Sequence, residues 1–233
     1  MKLSDSKPSS FLEKPTLAVD VVLLSPRDTE LCVLLQKRAE APFPNALALP
    51  GVALKTNEFL KEAALRALKS KTGLSKNLLS GIYMEQLATF DALYRDPRGR
   101  TISVAYLALT NQNIPGNENT SWKKISGLEP KELPFDHYEI IQTAQQRLKG
   151  KLRYTNIASY LMPEEFKVDE LRSLYESILG KELNRSNFRS KLVKIGLIEK
   201  AEEKGGMVTE KGGRPADLYQ FTEKELKEME DFI

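Results

Sequence analysis

Apolar residues keep two rhythms along this chain, and the change between them divides it. Leu17 to Leu24 and Leu31 to Gln36 are Leu- and Val-rich runs separated by Ser25-Pro26-Arg27-Asp28-Thr29-Glu30, which predicts two strands joined by a turn. Lys37-Arg38-Ala39-Glu40 ends the second, and the proline-bearing loop Ala41-Pro42-Phe43-Pro44-Asn45 delivers the chain to Leu47-Ala48-Leu49-Pro50-Gly51. From about Asn57 to Thr72, Leu60, Ala64, Leu65 and Leu68 recur at helical spacing, with Gly73 as the stop. Leu79 to Phe90 reads as a strand, Thr101 to Leu109 as a stronger one, and Ser121-Trp122-Lys123-Lys124 as a short one with Trp122 in the core. Leu133-Pro134-Phe135-Asp136-His137 then opens a helix that runs from about Asp136 to Leu148. Strands alternating with two helices, one of them laid on a sheet, predict an α/β sandwich.

Beyond Tyr154 the rhythm becomes helical. Thr155 to Leu161 is a short helix ended by Pro163, and Val168 to Leu179 is amphipathic, with Leu171, Leu174, Tyr175 and Ile178 on one side. Asp169 and Glu170 place negative charge in its first turn, where the macrodipole favours it, and Gly180 stops it. Asn184 caps a second helix, Arg185 to Ile195, whose buried stripe is Phe188, Leu192 and Ile195. Its other side carries Arg185, Ser186, Asn187, Arg189, Lys191 and Lys194, with no acid within it. Helix, glycine turn and basic helix form a helix-turn-helix pattern. Leu197 to Lys200 and Leu218 to Phe221 can pair as two strands around Gly205-Gly206 and Gly212-Gly213-Arg214-Pro215, the ribbon of a wing.

Composition sharpens this picture only locally. With 233 residues, two domains fit better than one: a loose polar tail over 1–14, an α/β domain over 15–150 and a winged helix over 151–233. A net charge of +3 decides nothing about partners, but residues 181–200 set six Lys/Arg against two Glu, which is the footprint of a duplex-binding helix. Winged helices also meet proteins, so a non-enzymatic interaction module stays open. One cysteine, Cys32, excludes an internal disulfide and fits a buried strand position in a reducing cytoplasm. A single histidine, His137, argues against a zinc site and, at a helix start, reads as a capping or packing residue rather than a catalyst. No apolar run is long enough for a membrane span.

Two stretches carry candidate chemistry. Between the strands of the first domain, Asp91 to Arg100 contains Arg95, Arg98 and Arg100. Arginine's planar fork suits bidentate contact with phosphate oxygens, so the loop is either a site for a nucleoside diphosphate or a solvated charged hairpin. The second stretch, Leu49-Pro50-Gly51-Val52 through Glu58 to Leu74, resembles the Nudix box, Gly-x5-Glu-x7-Arg-Glu-U-x-Glu-Glu-x-Gly-U. Glu58, Arg66, Leu68, Gly73 and Leu74 match it, whereas Val52 stands in place of its first Gly, and Ala67, Ser70 and Lys71 in place of its helical glutamates. Those three positions share one helix face, where carboxylates could hold a divalent cation. Here they offer no oxygen, a neutral hydroxyl and an ammonium. At an effective dielectric near 20, a positive charge ~4 Å from a dication is repelled by roughly 8 kcal/mol. Glu58 and Glu62 remain, although Glu62 also stands four residues before Arg66, the spacing of a surface ion pair.

The whole chain resembles the Nudix-related, NrtR-type transcriptional regulators. The marks are the altered box, Leu133 to His137, Arg153-Tyr154-Thr155, Leu179-Gly180-Lys181, Asn187-Phe188-Arg189 and Gly213-Arg214-Pro215-Ala216. The resemblance implies a Nudix-like α/β/α sandwich followed by a winged helix, in a cytoplasmic, homodimeric bacterial repressor. It further implies an ADP-ribose or related nucleotide effector, a DNA operator and control of NAD metabolism; the altered box itself predicts no catalytic or metal residues, and no cofactor is expected. The candidate ligand residues are Arg95, Arg98, Arg100 and Glu58; the candidate DNA residues are Arg185, Ser186, Asn187, Arg189, Lys191, Lys194 and, in the wing, Arg214. The rival expectation is an active pyrophosphohydrolase whose metal site has moved to Glu58 or Glu62.

Overall fold

The computed structural model describes residues 14–28, 30–201 and 217–233. The expected tail, apart from Lys14, and Arg214 with the glycines of the wing lie outside them. Strands β1 (Thr16–Arg27) and β2 (Glu30–Lys37) form an antiparallel hairpin tighter than the six-residue turn expected, with Arg27 opposite Glu30. Asp28 makes the reversal at a φ of 47°, in the left-handed region that Asp tolerates better than most residues. Then follow β3 (Leu47–Ala48), β4 (Gly51–Ala53), α1 (Leu60–Thr72), α2 (Lys76–Ser80), β5 (Tyr83–Phe90), β6 (Thr101–Leu109), β7 (Thr120–Lys124) and α3 (His137–Lys151). The sheet runs β3-β2-β1-β6-β5, with β4 also on β1 and β7 on β2. Among the described strands only β1 and β6 pair in parallel.

Alternation along the central strands sets the layers. Val19, Val21 and Leu23 of β1 with Val104, Tyr106 and Ala108 of β6 pack against Ala63, Ala64, Ala67 and Leu68 of α1. Their neighbours Val22, Leu24, Ala105, Leu107 and Leu109 pack on the opposite face against Ile140, Ile141, Ala144 and Leu148 of α3. This is the α/β/α sandwich that the pattern predicts. Three alanines let α1 approach the sheet closely, and each fully buried Leu or Ile contributes about 1.5–3 kcal/mol. Gly51 is required for a different reason: a Cβ there would lie 2.1 Å from Asp20 Oδ1. The expected strand from Leu79 begins only at Tyr83, because Ser75 Oγ accepts from the Leu78 N–H and starts a single turn of helix that Gly81 ends.

In the second half β8 (Phe166–Lys167) leads into α4 (Val168–Leu179) and α5 (Arg185–Lys194), and β9 (Ile198–Lys200) and β10 (Leu218–Phe221) complete a sheet in the order β8-β10-β9. Gly180 closes α4 at a φ of 69°, and Asn184 Oδ1 caps α5 by accepting the Asn187 N–H at 3.0 Å. The segment from Thr155 narrows to a 3-10 turn at Ile157–Tyr160. Phe188 and Leu192 are buried, with the Phe188 ring 5.2 Å from that of Tyr175. Ile195, expected in the same stripe, is 38% exposed: α5 ends one residue earlier, Gly196 turns the chain at a φ of 68°, and Leu197 and Ile198 take the core positions instead.

The division expected at residue 150 falls at the C-terminal end of α3, which closes at Lys151. One apolar cluster runs from Val22 through Ile140 and Leu148 to Leu171, Tyr175 and Phe188, so sheet, α3 and winged helix share a core. At the joint, Lys151 and Arg147 pair with Glu85 of β5 at 2.8 and 3.3 Å, and Arg153 pairs with Asp231. The C-terminal segment straps the same joint through the Met229 N–H on Tyr154 O and the Phe232 N–H on Arg153 O.

Candidate functional site

Between β1, β4, α1 and the 91–100 loop lies a cleft of about 1290 Å³. Its deep wall is a polar network that joins residues far apart in sequence. Arg95 Nε and Nη2 donate to the two oxygens of Asp136 at 2.7 and 2.6 Å, and Nη2 reaches Asp20 Oδ2 at 3.4 Å. Burial works to lower the Arg95 pKa, but Asp136 and Asp20 outweigh it and hold the guanidinium above its usual value. Ser103 Oγ donates to Asp20 at 2.6 Å. His137 Nδ1 accepts the Leu49 N–H at 3.0 Å, and burial lowers its pKa in spite of Asp20 and Asp136 nearby. The ring is therefore neutral with its proton on Nε2, a packing role as the sequence indicates.

Arg98 and Arg100 also line the cleft, both more exposed than Arg95. Arg98 forks onto Asp96 at 3.0 and 2.7 Å, and Arg100 Nη1 donates to the carbonyls of Asp91 and Ala92 at 2.7 and 3.1 Å. Glu58 does not line it. Both Glu58 oxygens are taken by Arg66, Oε1 also accepts the Lys55 N–H, and these bonds pull its carboxyl down to about 2. Arg66 Nη2 bonds Ala53 O as well, so the pair pins the β4–α1 connection. Glu62 is not the partner of Arg66 that its spacing indicated. It accepts the Phe59 N–H at 2.8 Å and caps α1, a role that the i, i+3 relation to Phe59 could have signalled.

Sequence reasoning missed several cleft residues. Arg38, read only as the end of a strand, lies over the Phe135 ring at 4.9 Å, and Phe135 sits at a φ of 57° with Phe43 edge-on at 5.2 Å. Lys14, Lys37, Lys55, Arg66 and Lys71 line the cleft too, giving nine Lys/Arg against three acids, a lining for an anion. A divalent cation does not fit the α1 face: Ala67 is buried, Ser70 and Lys71 offer a hydroxyl and an ammonium, and Glu58 is committed to Arg66. Among the described residues no three His, Cys, Asp or Glu are placed to hold a metal ion.

The second candidate surface is α5. Arg185, Ser186, Asn187, Arg189, Lys191 and Lys194 are all exposed, while Phe188 and Leu192 anchor the opposite side. Arg185 is held by Asp169 of α4 at 2.6 Å, so a phosphate has to compete with that carboxylate. Asp169→Asn is expected to raise duplex affinity up to about fivefold, the range of an exposed ion pair, in a fluorescence anisotropy titration. An unchanged or weaker affinity would remove Asp169 from the recognition surface.

An acid-poor, cation-lined cleft in an α/β/α sandwich, sharing a core with an exposed basic helix and wing strands, defines a class: an anion-cleft domain fused to a winged helix. Residues 14–144 match the NUDIX domain, and residues 158–221 match the NrtR DNA-binding winged helix domain. The chain belongs to the NrtR family of Nudix-related regulators. It is 35% identical over 214 residues to the ADPR responsive transcriptional repressor NtrR of Acinetobacter baylyi, covering 89% of this chain and 82% of that one. Shewanella oneidensis NrtR, crystallised with a 27mer DNA, superposes with a TM-score of 0.71 at 31% identity over 88% of this chain and 93% of that one. The NUDIX domain of the same protein, crystallised with ADP ribose, gives a TM-score of 0.52 at 32% identity over 62% and 94%. An ADP-ribose pyrophosphatase of Methanocaldococcus jannaschii is 31% identical over 145 residues, covering 61% of this chain and 80% of that one.

Proposed function

We propose that this chain is a cytoplasmic, homodimeric transcriptional repressor of NAD-metabolism genes. Its NUDIX domain binds ADP-ribose or a related nucleotide without hydrolysing it, and its winged helix binds an operator. The observation that carries the proposal is the pairing, across one continuous core, of a cleft lined by nine Lys/Arg with an exposed, acid-free helix α5. Arg98 and Arg100, more exposed than Arg95, meet the diphosphate, with Arg95 behind them. Glu58 positions the loop rather than touching ligand. Arg185, Ser186, Asn187, Arg189, Lys191 and Lys194 face the duplex.

Linkage then follows from the route between the sites. Arg95 is bound to Asp136 at the start of α3, and α3 packs against α4 and is tied by Lys151 to Glu85. A ligand that competes for Arg95 changes the seat of α3 and with it the winged helix. In a dimer this shifts the recognition helices away from half-sites ~34 Å apart, and a coupling of about 1–3 kcal/mol changes operator occupancy roughly 5- to 150-fold.

Two measurements on one preparation test this. In a gel shift on the gene's own upstream region, ADP-ribose is expected to release the protein. In a pyrophosphatase assay with Mg²⁺ or Mn²⁺, no turnover is expected. Likeness to an ADP-ribose pyrophosphatase supports the rival, a hydrolase with a relocated metal. Turnover abolished by Glu58→Gln would establish that rival, and failure to shift promoter DNA at low salt by folded protein would favour a protein-binding module.

A further inference from the structure

We infer that the cleft binds a diphosphate without a divalent cation, and that the ammonium of Lys71, beside the hydroxyl of Ser70, supplies the countercharge. The inference rests on the nucleoside diphosphate reading of the cleft and deepens it. A bridging diphosphate ester carries about two negative charges at neutral pH and needs cations or strong donors close to its oxygens. The arginines around the cleft are numerous, yet each already commits part of its N–H fork to the protein and meets a ligand only with the donors left over. Arg38 is bound to Pro42 O and Glu40 O, Arg66 to Glu58, Arg95 to Asp136, Arg98 to Asp96, and Arg100 to Asp91 O and Ala92 O. Lys71 is different. Among the described residues neither its ammonium nor the Ser70 hydroxyl has a hydrogen-bond or ion-pair partner, and both line the cleft.

Their placement is as telling as their freedom. Arg66 and Ser70 stand one turn apart on α1, and Lys71 follows, so the helix presents a hydroxyl and a mobile cation on the side that faces the cleft. The other unpaired lysines of the lining among the described residues, Lys14, Lys37 and Lys55, stand before a strand, at a strand end and in a loop. An ammonium is a compact point charge with three rotatable donors, suited to bridging phosphate oxygens from adjacent groups. It also repels any dication that would enter at the same place. Binding is therefore divalent-independent. Lys71 lies in the last turn of α1, where a positive charge also favours the helix macrodipole, so a stability control is needed.

The test is isothermal titration of the full chain with ADP-ribose and, separately, with inorganic pyrophosphate, each in excess EDTA and in excess magnesium chloride. Both ligands are expected to bind in EDTA with no gain from magnesium. Lys71→Met is expected to weaken both by about tenfold or more, the equivalent of one hydrogen bond to a charged group, at an unchanged melting temperature. Lys69→Met, on the same helix but outside the cleft, is expected to change neither. Binding that needs magnesium, or full affinity in Lys71→Met, overturns the inference. If ADP-ribose binds only with magnesium, the nucleotide reading stands and the lysine falls. If pyrophosphate binds through Lys71 while ADP-ribose does not, the reverse holds; no binding of either ligand in any condition overturns both.

Discussion

Arg95→Met is expected to lower the stability of the fold by about 3–5 kcal/mol, a large share of the 5–15 kcal/mol typical of a domain. The side chain is 4% exposed and neutralises Asp136 and Asp20, whose own side chains are 10% and 9% exposed. Removing the guanidinium strands two carboxylates in a shielded wall, where loss of the partner costs more than the pair itself contributes. Urea unfolding followed by circular dichroism measures the loss. The double variant Arg95→Met/Asp136→Leu is expected to recover much of it, because the remaining Asp20 keeps its bond from Ser103. A loss below about 1 kcal/mol in the single variant would place Arg95 among exposed pairs and free it for ligand.

Arg189→Ala is expected to weaken operator binding by about 1–3 kcal/mol if its guanidinium reads a base edge, with specificity relaxed at one position. If it meets phosphate, the loss is uniform across sequences and the dependence of log K on log salt becomes shallower by about one unit. Either way the residue is exposed on α5 and has no part in the core, so folding stays intact. Titrations on operator and scrambled duplexes at several salt concentrations separate the two outcomes. Nucleotide affinity is expected to stay unchanged in the same variant. An equal loss of both affinities would mean that cleft and helix are not separate sites.

The two predictions concern different levels of the same molecule. Arg95 belongs to a wall assembled from β1, the 91–100 loop and the start of α3, so its loss reaches the fold. Arg189 stands exposed on a helix anchored by Phe188, Leu192 and the Asn184 cap, so its loss reaches only the partner. Coupling between them has one covalent route, α3, and a shared apolar cluster that leaves little slack. A displacement at Asp136 therefore has to be absorbed by α4 or by the strap at Tyr154 and Met229.

The sequence by itself determined the elements whose instructions are local. Val168–Leu179 and Thr101–Leu109 appear at the limits that their periodicity and the Gly180 stop predict, Asn184 caps α5 as its chemistry requires, and alternation along β1 and β6 decides which face each helix covers. Those outcomes follow from forces acting within a few residues. Only the tertiary structure decided which charges are spent. Arg95 lies 41 residues from Asp136, and Arg66 bypasses Glu62, four residues away, for Glu58, eight away. Ile195 was lost from the core to residues after the turn, and one apolar cluster runs across the joint at the end of α3. The physical reason is common to all four. An ion pair or a core position goes to whichever group the folded backbone brings within reach, and spacing along the chain does not encode that choice.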